Sequence, residues 1–223
     1  MRERIAAAAR AAGRRAEDVR LLAVSKTFGP DHVRAAYAAG QREFGENKVQ
    51  EALQKIADTA DIPIGWHLIG HMQSNKARKA AGAFAAIHSI DSVDLLQRVD
   101  ASAADAGTAP RVLIQVDFAG EETKFGAPEA DVPAIAHAAV HCRAARLAGL
   151  MLLPPWFDDP EQARPYFQRL RALRDRLAAE GIDPALLGEL SMGMSHDFEV
   201  AIQEGATLVR IGTAIFGKRT VRT

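Results

Sequence analysis

The chain has 223 residues, 48% of them apolar and 25% charged, which is enough to enclose one full-sized core and too little for two. Lysine plus arginine equals aspartate plus glutamate at 28 each, so the formal net charge is zero and neither nucleic acid nor an anionic membrane is favoured as a partner. Residues 1–10 lack the apolar core of a signal peptide, no apolar run nears the roughly 18 residues of a membrane span, and the one cysteine, Cys142, can close no disulfide within the chain; a cytoplasmic protein with an inert thiol is expected.

A helix is predicted over Arg2–Ala12, followed by short aliphatic runs that alternate with alanine-rich amphipathic stretches. The predicted strands are Leu21–Ser25, Glu43–Gly45, Trp66–Gly70, Ala86–Ile90, Val112–Asp117, Leu147–Leu152, Glu189–Met192 and Thr207–Ile211, the second and seventh being the weakest. Eight strand-helix units in a chain of this length predict an α/β fold with a single domain over 1–223. That domain is a (β/α)8 TIM barrel whose floor is capped by the additional N-terminal helix. Pro154-Pro155-Trp156 reads as a loop leaving the sixth strand. Closure sets the last strand beside the first, and chemistry is expected at the C-terminal ends of the strands.

Lys26 closes the apolar run Ala23-Val24-Ser25 at one such end. Burial there lowers an ammonium pKa, and the neutral amine is the nucleophile that forms a Schiff base with an aldehyde; the plainer alternative is a lysine reaching out to solvent. Two small-residue turns, Ser191-Met192-Gly193-Met194-Ser195 and Arg210-Ile211-Gly212-Thr213, follow the seventh and eighth strands. Glycine backbone N–H groups and the hydroxyls of Ser195 and Thr213 suit a phosphate, although Ser195 would serve equally as a helix N-cap. Lysine and phosphate cup on neighbouring strands describe a site for pyridoxal 5'-phosphate (PLP), with Arg210 facing the pyridine nitrogen and holding it unprotonated. Alternatively, Arg210 is a structural partner of Glu43, Glu46 or Glu199.

Ordered segments extend this pattern: Leu22-Ala23-Val24-Ser25-Lys26-Thr27, Phe44-Gly45-Glu46-Asn47-Lys48-Val49-Gln50-Glu51 and Trp66-His67-Leu68-Ile69-Gly70-His71-Met72-Gln73-Ser74-Asn75-Lys76. Glu122-Thr123-Lys124-Phe125-Gly126, Gly149-Leu150-Met151, Leu190–Ser195 and Val209–Gly217 follow. Over nearly its whole length the chain resembles the pyridoxal phosphate homeostasis proteins, whose fold is that of the alanine racemase N-terminal barrel. The resemblance implies that Lys26 carries PLP as a Schiff base, that Ser195, Gly212 and Thr213 bind its phosphate, that Arg210 meets its ring nitrogen, and that Asn47 lies near its ring. Lys48 departs from the aromatic residue common in the family, and Trp156-Phe157 follow the two prolines.

A racemase of this barrel type takes its second base from an added domain, for which this chain has no room, and its two tyrosines, Tyr37 and Tyr166, lie in helical patterns. The expectation is therefore a monomeric PLP carrier that delivers PLP to apo-enzymes and accepts other B6 vitamers, with weak racemase or transaminase activity as the alternative. The pairs His67/His71 and His137/His141 lack a third ligand, so no metal is expected. The basic stretch Gln73–Lys79 reads as a solvated helix start, and Lys124, Lys218 and Arg219 as surface charge able to meet a phosphate in transit.

Overall fold

The computed structural model describes residues 1–120 and 125–217; Lys124, Lys218 and Arg219 lie outside the described residues. The strands are β1 (Arg20–Val24), β2 (Glu43–Glu46), β3 (Gly65–Leu68), β4 (Ala86–Ile90), β5 (Arg111–Asp117), a two-residue β6 (Ala127–Pro128), β7 (Arg146–Leu152), β8 (Glu189–Met194) and β9 (Leu208–Ile211). All pairings are parallel, and the ring β1-β2-β3-β4-β5-β7-β8-β9 closes where β9 returns to β1 with Leu22 opposite Arg210. β6 only pairs alongside the end of β5, outside the ring. The result is the eight-stranded barrel that the alternation of runs predicts, with ends displaced by one or two residues.

The helices α1 (Arg2–Ala11), α2 (Pro30–Ala38), α3 (Val49–Asp58), α4 (Ala77–Ala83), α5 (Val93–Ala106), α6 (Val132–Val140), α7 (Arg164–Ala179), α8 (Phe198–Gln203) and α9 (Thr213–Phe216) surround it. Local chemistry sets their ends: Ser92 Oγ accepts from Leu95 N at 3.2 Å to start α5, and Gly107 ends it in the left-handed conformation. α1 is the additional helix. It is fastened by Arg4 to Glu199 and by Arg2 to the Gly40 carbonyl, beside the N-terminal ends of β1 and β2. No helix among the described residues is long and apolar enough to cross a membrane.

Strand alternation divides the apolar residues between two compartments. Ala23, Phe44, Leu68, Val209 and Ile211 join Phe167, Phe198 and Leu170 between sheet and helices, where the main core lies. Leu22, Val24, Ile69 and Leu208 form a separate cluster inside the barrel. Truncating a fully buried phenylalanine of the outer layer, such as Phe167, would cost about 3–5 kcal/mol. Gly149 marks the tightest seam: it sits at φ 156°, and a Cβ there would lie 1.8 Å from the Glu189 carbonyl oxygen.

Candidate functional site

The sequence-predicted residues stand at the C-terminal ends of four consecutive strands, β2, β1, β9 and β8. Lys26 follows β1 in the alternation of Leu22 and Val24, which face the barrel interior, and is half-buried. The chain turns immediately after it. Thr27 has φ 70°, a left-handed conformation that a β-branched residue rarely adopts, and Phe28 N closes the turn on the Ser25 carbonyl at 3.0 Å.

The strand end is braced from behind. Ser25 Oγ donates to Glu46 Oε1 at 2.6 Å, and Lys55 Nζ donates to the same oxygen at 2.6 Å and to the Ser25 carbonyl at 2.7 Å. Glu46 is completely buried, so this ion pair ties β1 to β2 and α3 at the residue before Lys26. One residue beyond β2, Asn47 is held by close packing: a Cβ on Gly70 would meet its carbonyl oxygen at 2.2 Å.

The β8 and β9 turns are joined through Ser195. Its Oγ accepts from Gly212 N at 3.3 Å and from Ala214 N at 3.5 Å, at the start of α9, where Thr213 is exposed. Ser195 therefore does not cap its own helix. The N-cap of α8 is Asp197, and the serine instead reaches across to the next strand's turn. Gly193, at φ 91°, lets β8 pass α8, since a Cβ there would lie 2.6 Å from that of Ala201. Gly212 abuts the Val24 carbonyl, and the rings of Phe28 and Phe216 are 5.2 Å apart, so the lysine loop and the α9 turn pack together.

Arg210 is buried inside the barrel. Nη1 donates to the Ser191 carbonyl at 2.6 Å and to Ser191 Oγ at 2.7 Å, and Nη2 donates to the Leu152 carbonyl at 2.8 Å. Burial pushes its pKa down to about 10, against the pull of Asp197. None of its proposed carboxylate partners pairs with it: Glu43 is taken by Arg20, Glu46 by Lys55 and Glu199 by Arg4. Among the described residues no carboxylate comes within ion-pair distance of this guanidinium.

Beneath Arg210 lies a set of residues that sequence reasoning did not assemble. Ser191 Oγ is 3.0 Å from His88 Nδ1, His88 Nε2 is 3.0 Å from His67 Nδ1, and His67 Nε2 is 3.5 Å from Glu43 Oε1. Burial lowers the pKa of both histidines, Glu43 opposing the effect at His67. Glu43 itself is raised by burial but brought below the usual carboxylate range by His67, Arg20 and Arg111. The only available signal was strand parity: Ser191, His88 and His67 occupy positions that alternate with the outward apolar residues Leu190 and Met192, Ile87, and Trp66 and Leu68. His71 stays apart, stacked on Phe125 at 3.7 Å, so His67 and His71 do not converge.

A cavity of about 240 Å³ flanks the β8 turn, between Pro154, Phe157, Met194 and His196, with exposed Trp156 stacked on His196 at 4.6 Å. The larger cavity, about 460 Å³, lies at the opposite end beneath α1, where the arginines that line it are already hydrogen-bonded: Arg2 to Gly40, Arg20 to Glu43 and Arg42 to the Tyr37 carbonyl. Strand ends, buried cation and glycine turns make the mouth the candidate site.

Fold and site together define a parallel (β/α)8 barrel with a lysine at the end of its first strand and an anion-suited turn at the end of its last. Residues 1–220 match the model of the alanine racemase N-terminal domain. The pyridoxal phosphate homeostasis protein of Pseudomonas aeruginosa is 48% identical over 217 residues, 97% of this chain and 91% of that one. The structure of PipY from Synechococcus elongatus with PLP bound superposes with a TM-score of 0.86 at 39% identity, covering 97% of this chain and 99% of that one. The alanine racemase of Corynebacterium glutamicum shares the fold, with a TM-score of 0.73 at 18% identity over 98% of this chain and 61% of that one. The chain belongs to the pyridoxal phosphate homeostasis protein family, built on the alanine racemase N-terminal domain.

Proposed function

We propose that the whole chain, 1–223, acts as one domain that holds PLP as a Schiff base on Lys26 and serves in PLP (vitamin B6) homeostasis and delivery in the cytoplasm. The observation that carries this reading is Arg210: a buried guanidinium with three neutral oxygen acceptors and no carboxylate, on the strand between Lys26 and Ser195. A buried cation without a direct ion-pair partner is costly, and an aromatic nitrogen acceptor at the mouth would take up its remaining donor capacity. Ser195, Gly212 and Thr213 would hold the phosphate, using the backbone N–H groups already directed at Ser195 Oγ. Asn47 would lie beside the ring. When bound, PLP supplies an aldehyde and an electron-accepting ring, and a guanidinium at the ring nitrogen keeps that ring unprotonated and weakly electron-accepting.

That weakness, and the position of both tyrosines in the outer helices, support carriage over turnover. Tyr37 lies in α2 under Arg42, and Tyr166 lies in α7 against Phe157. The partners of this reading are PLP, other B6 vitamers and apo-enzymes that receive PLP, with the chain as a monomer. Absorbance of the purified protein before and after borohydride, with Lys26→Ala alongside, tests the attachment. A band in the near ultraviolet to blue that reduction abolishes and the variant lacks is expected. Absence of any band after incubation with PLP overturns the reading, and amino-acid turnover by the purified protein overturns its carrier half.

A further inference from the structure

Arg210, Ser191, His88, His67 and Glu43 come from five strands and stand in one line across the barrel interior. We propose that this line is a hydrogen-bonded column of fixed polarity, with both histidines neutral and protonated on Nε2, and that it positions Arg210 as a donor at the mouth.

The polarity follows from the two ends. Arginine has no acceptor, so Ser191 Oγ accepts from Nη1 at 2.7 Å, and its own hydroxyl proton is left for His88 Nδ1 at 3.0 Å. That nitrogen is then bare, and the ring's proton sits on Nε2, facing His67 Nδ1 at 3.0 Å. His67 accepts there and carries its proton on Nε2, which faces Glu43 Oε1 at 3.5 Å as an electrostatic contact without hydrogen-bond geometry. At the far end Glu43 lies between Arg20 at 2.8 Å and Arg111 at 3.5 Å, which keep it ionised and therefore an acceptor only. The reverse polarity would set a His67 lone pair against that carboxylate. An acceptor-free cation at one end and an acceptor-only anion at the other thus select the same arrangement.

Its consequence is rigidity. Both hydrogens of Arg210 Nη1 are directed at Ser191, through carbonyl and hydroxyl, and the hydroxyl is in turn held by His88. The guanidinium plane is fixed on its Nη1 side by groups below it in the barrel and on its Nη2 side by the Leu152 carbonyl at the end of β7. Ser191, His88 and His67 are thus positioning residues acting through Arg210. The link to cofactor binding rests on the function proposed above; the polarity of the column does not.

Long-range proton–nitrogen correlation spectra of the full chain labelled with ¹⁵N-histidine read the tautomers without any variant. The expected result is two neutral histidines with Nε2–H at neutral pH, with or without PLP, their signals moving in Ser191→Ala and unmoved in Lys26→Ala. A doubly protonated or Nδ1–H state for His67 or His88 overturns the column. In the second arm, Ser191→Ala should weaken PLP binding on the order of tenfold and shift the bound absorption maximum, and Ser191→Thr, which keeps the hydroxyl, should restore both. Unchanged affinity and spectrum in Ser191→Ala overturn the positioning role. A wild-type protein without a PLP band but with the stated tautomers would remove the functional reading and leave the column standing.

Discussion

The floor and the mouth of the barrel use the same residue types and handle charge in opposite ways. At the floor Arg20 lies 2.8 Å from both Glu43 and Glu189, and Arg111 reaches the same two carboxylates, so two cations meet two anions where the strands begin. At the mouth Arg210 is buried against neutral oxygens, with Asp197 acting on it only from beyond ion-pair distance. Paired charges at a barrel end close the structure and contribute little net stability, whereas a buried cation without a direct ion-pair partner is costly to keep. The difference separates the end that maintains the fold from the end proposed to bind PLP.

The sharpest way to break the mouth is to remove its brace. Glu46→Ala leaves Lys55 Nζ buried with only the Ser25 carbonyl, and removing one partner of a buried ion pair costs about 3–5 kcal/mol. A urea midpoint lowered accordingly, with PLP lost more readily than in wild type, is the expected outcome. A midpoint within error of wild type would mean that the brace carries neither end.

The interior column gives the next largest effect, through pH. His67 and His88 titrate below their ordinary 6.5 in the folded chain, so below that pH the unfolded chain binds more protons. Stability is therefore complete above about 6.5 and falls as pH drops, by up to about 1.4 kcal/mol per unit for each histidine. Glu43, whose folded pKa is depressed, adds a loss of the same sign as pH falls below its ordinary 4.5. Urea midpoints measured one and two units below neutral should decline; a flat profile would contradict neutral buried histidines. Smaller again is Gly70→Ala, whose Cβ must displace the Asn47 carbonyl from 2.2 Å; overpacking of this kind costs about 1–3 kcal/mol and should loosen PLP at the mouth while leaving the floor intact.

How much of this was visible in the sequence depends on how local the cause is. Ala86–Ile90 forms a strand over the predicted range because the run itself carries the signal, and Lys26 is conspicuous as a lysine closing such a run. The Ser195 hydroxyl could be read as a ligand for its own helix because a cap is a local interaction; its actual donors, 17 and 19 residues away, depend on β8 and β9 lying side by side. The column is less legible still, with His88 21 residues from His67 and 103 from Ser191. Strand parity marks each as an inward residue, but only closure of the ring determines which inward residues meet. Barrel chemistry of this kind is therefore readable one strand end at a time, and its interior connections are not.

The smallest expected effect belongs to the floor side and serves as the control for everything above. Cys142 follows α6 and precedes β7, where burial, reinforced by Asp100, pushes its thiol up to about 11. Because the thiolate is the reactive form, a rise of two units from the ordinary 9.0 leaves roughly a hundredfold less of it near pH 8. Alkylation of the native protein should run about that much slower than in urea, and Cys142→Ala should bind PLP as wild type does. Fast labelling of the native chain would show that the α6–β7 corner opens. Altered PLP binding in Cys142→Ala would show that the two ends of the barrel are coupled outside the interior column, and the division between a maintaining floor and a binding mouth would have to be given up.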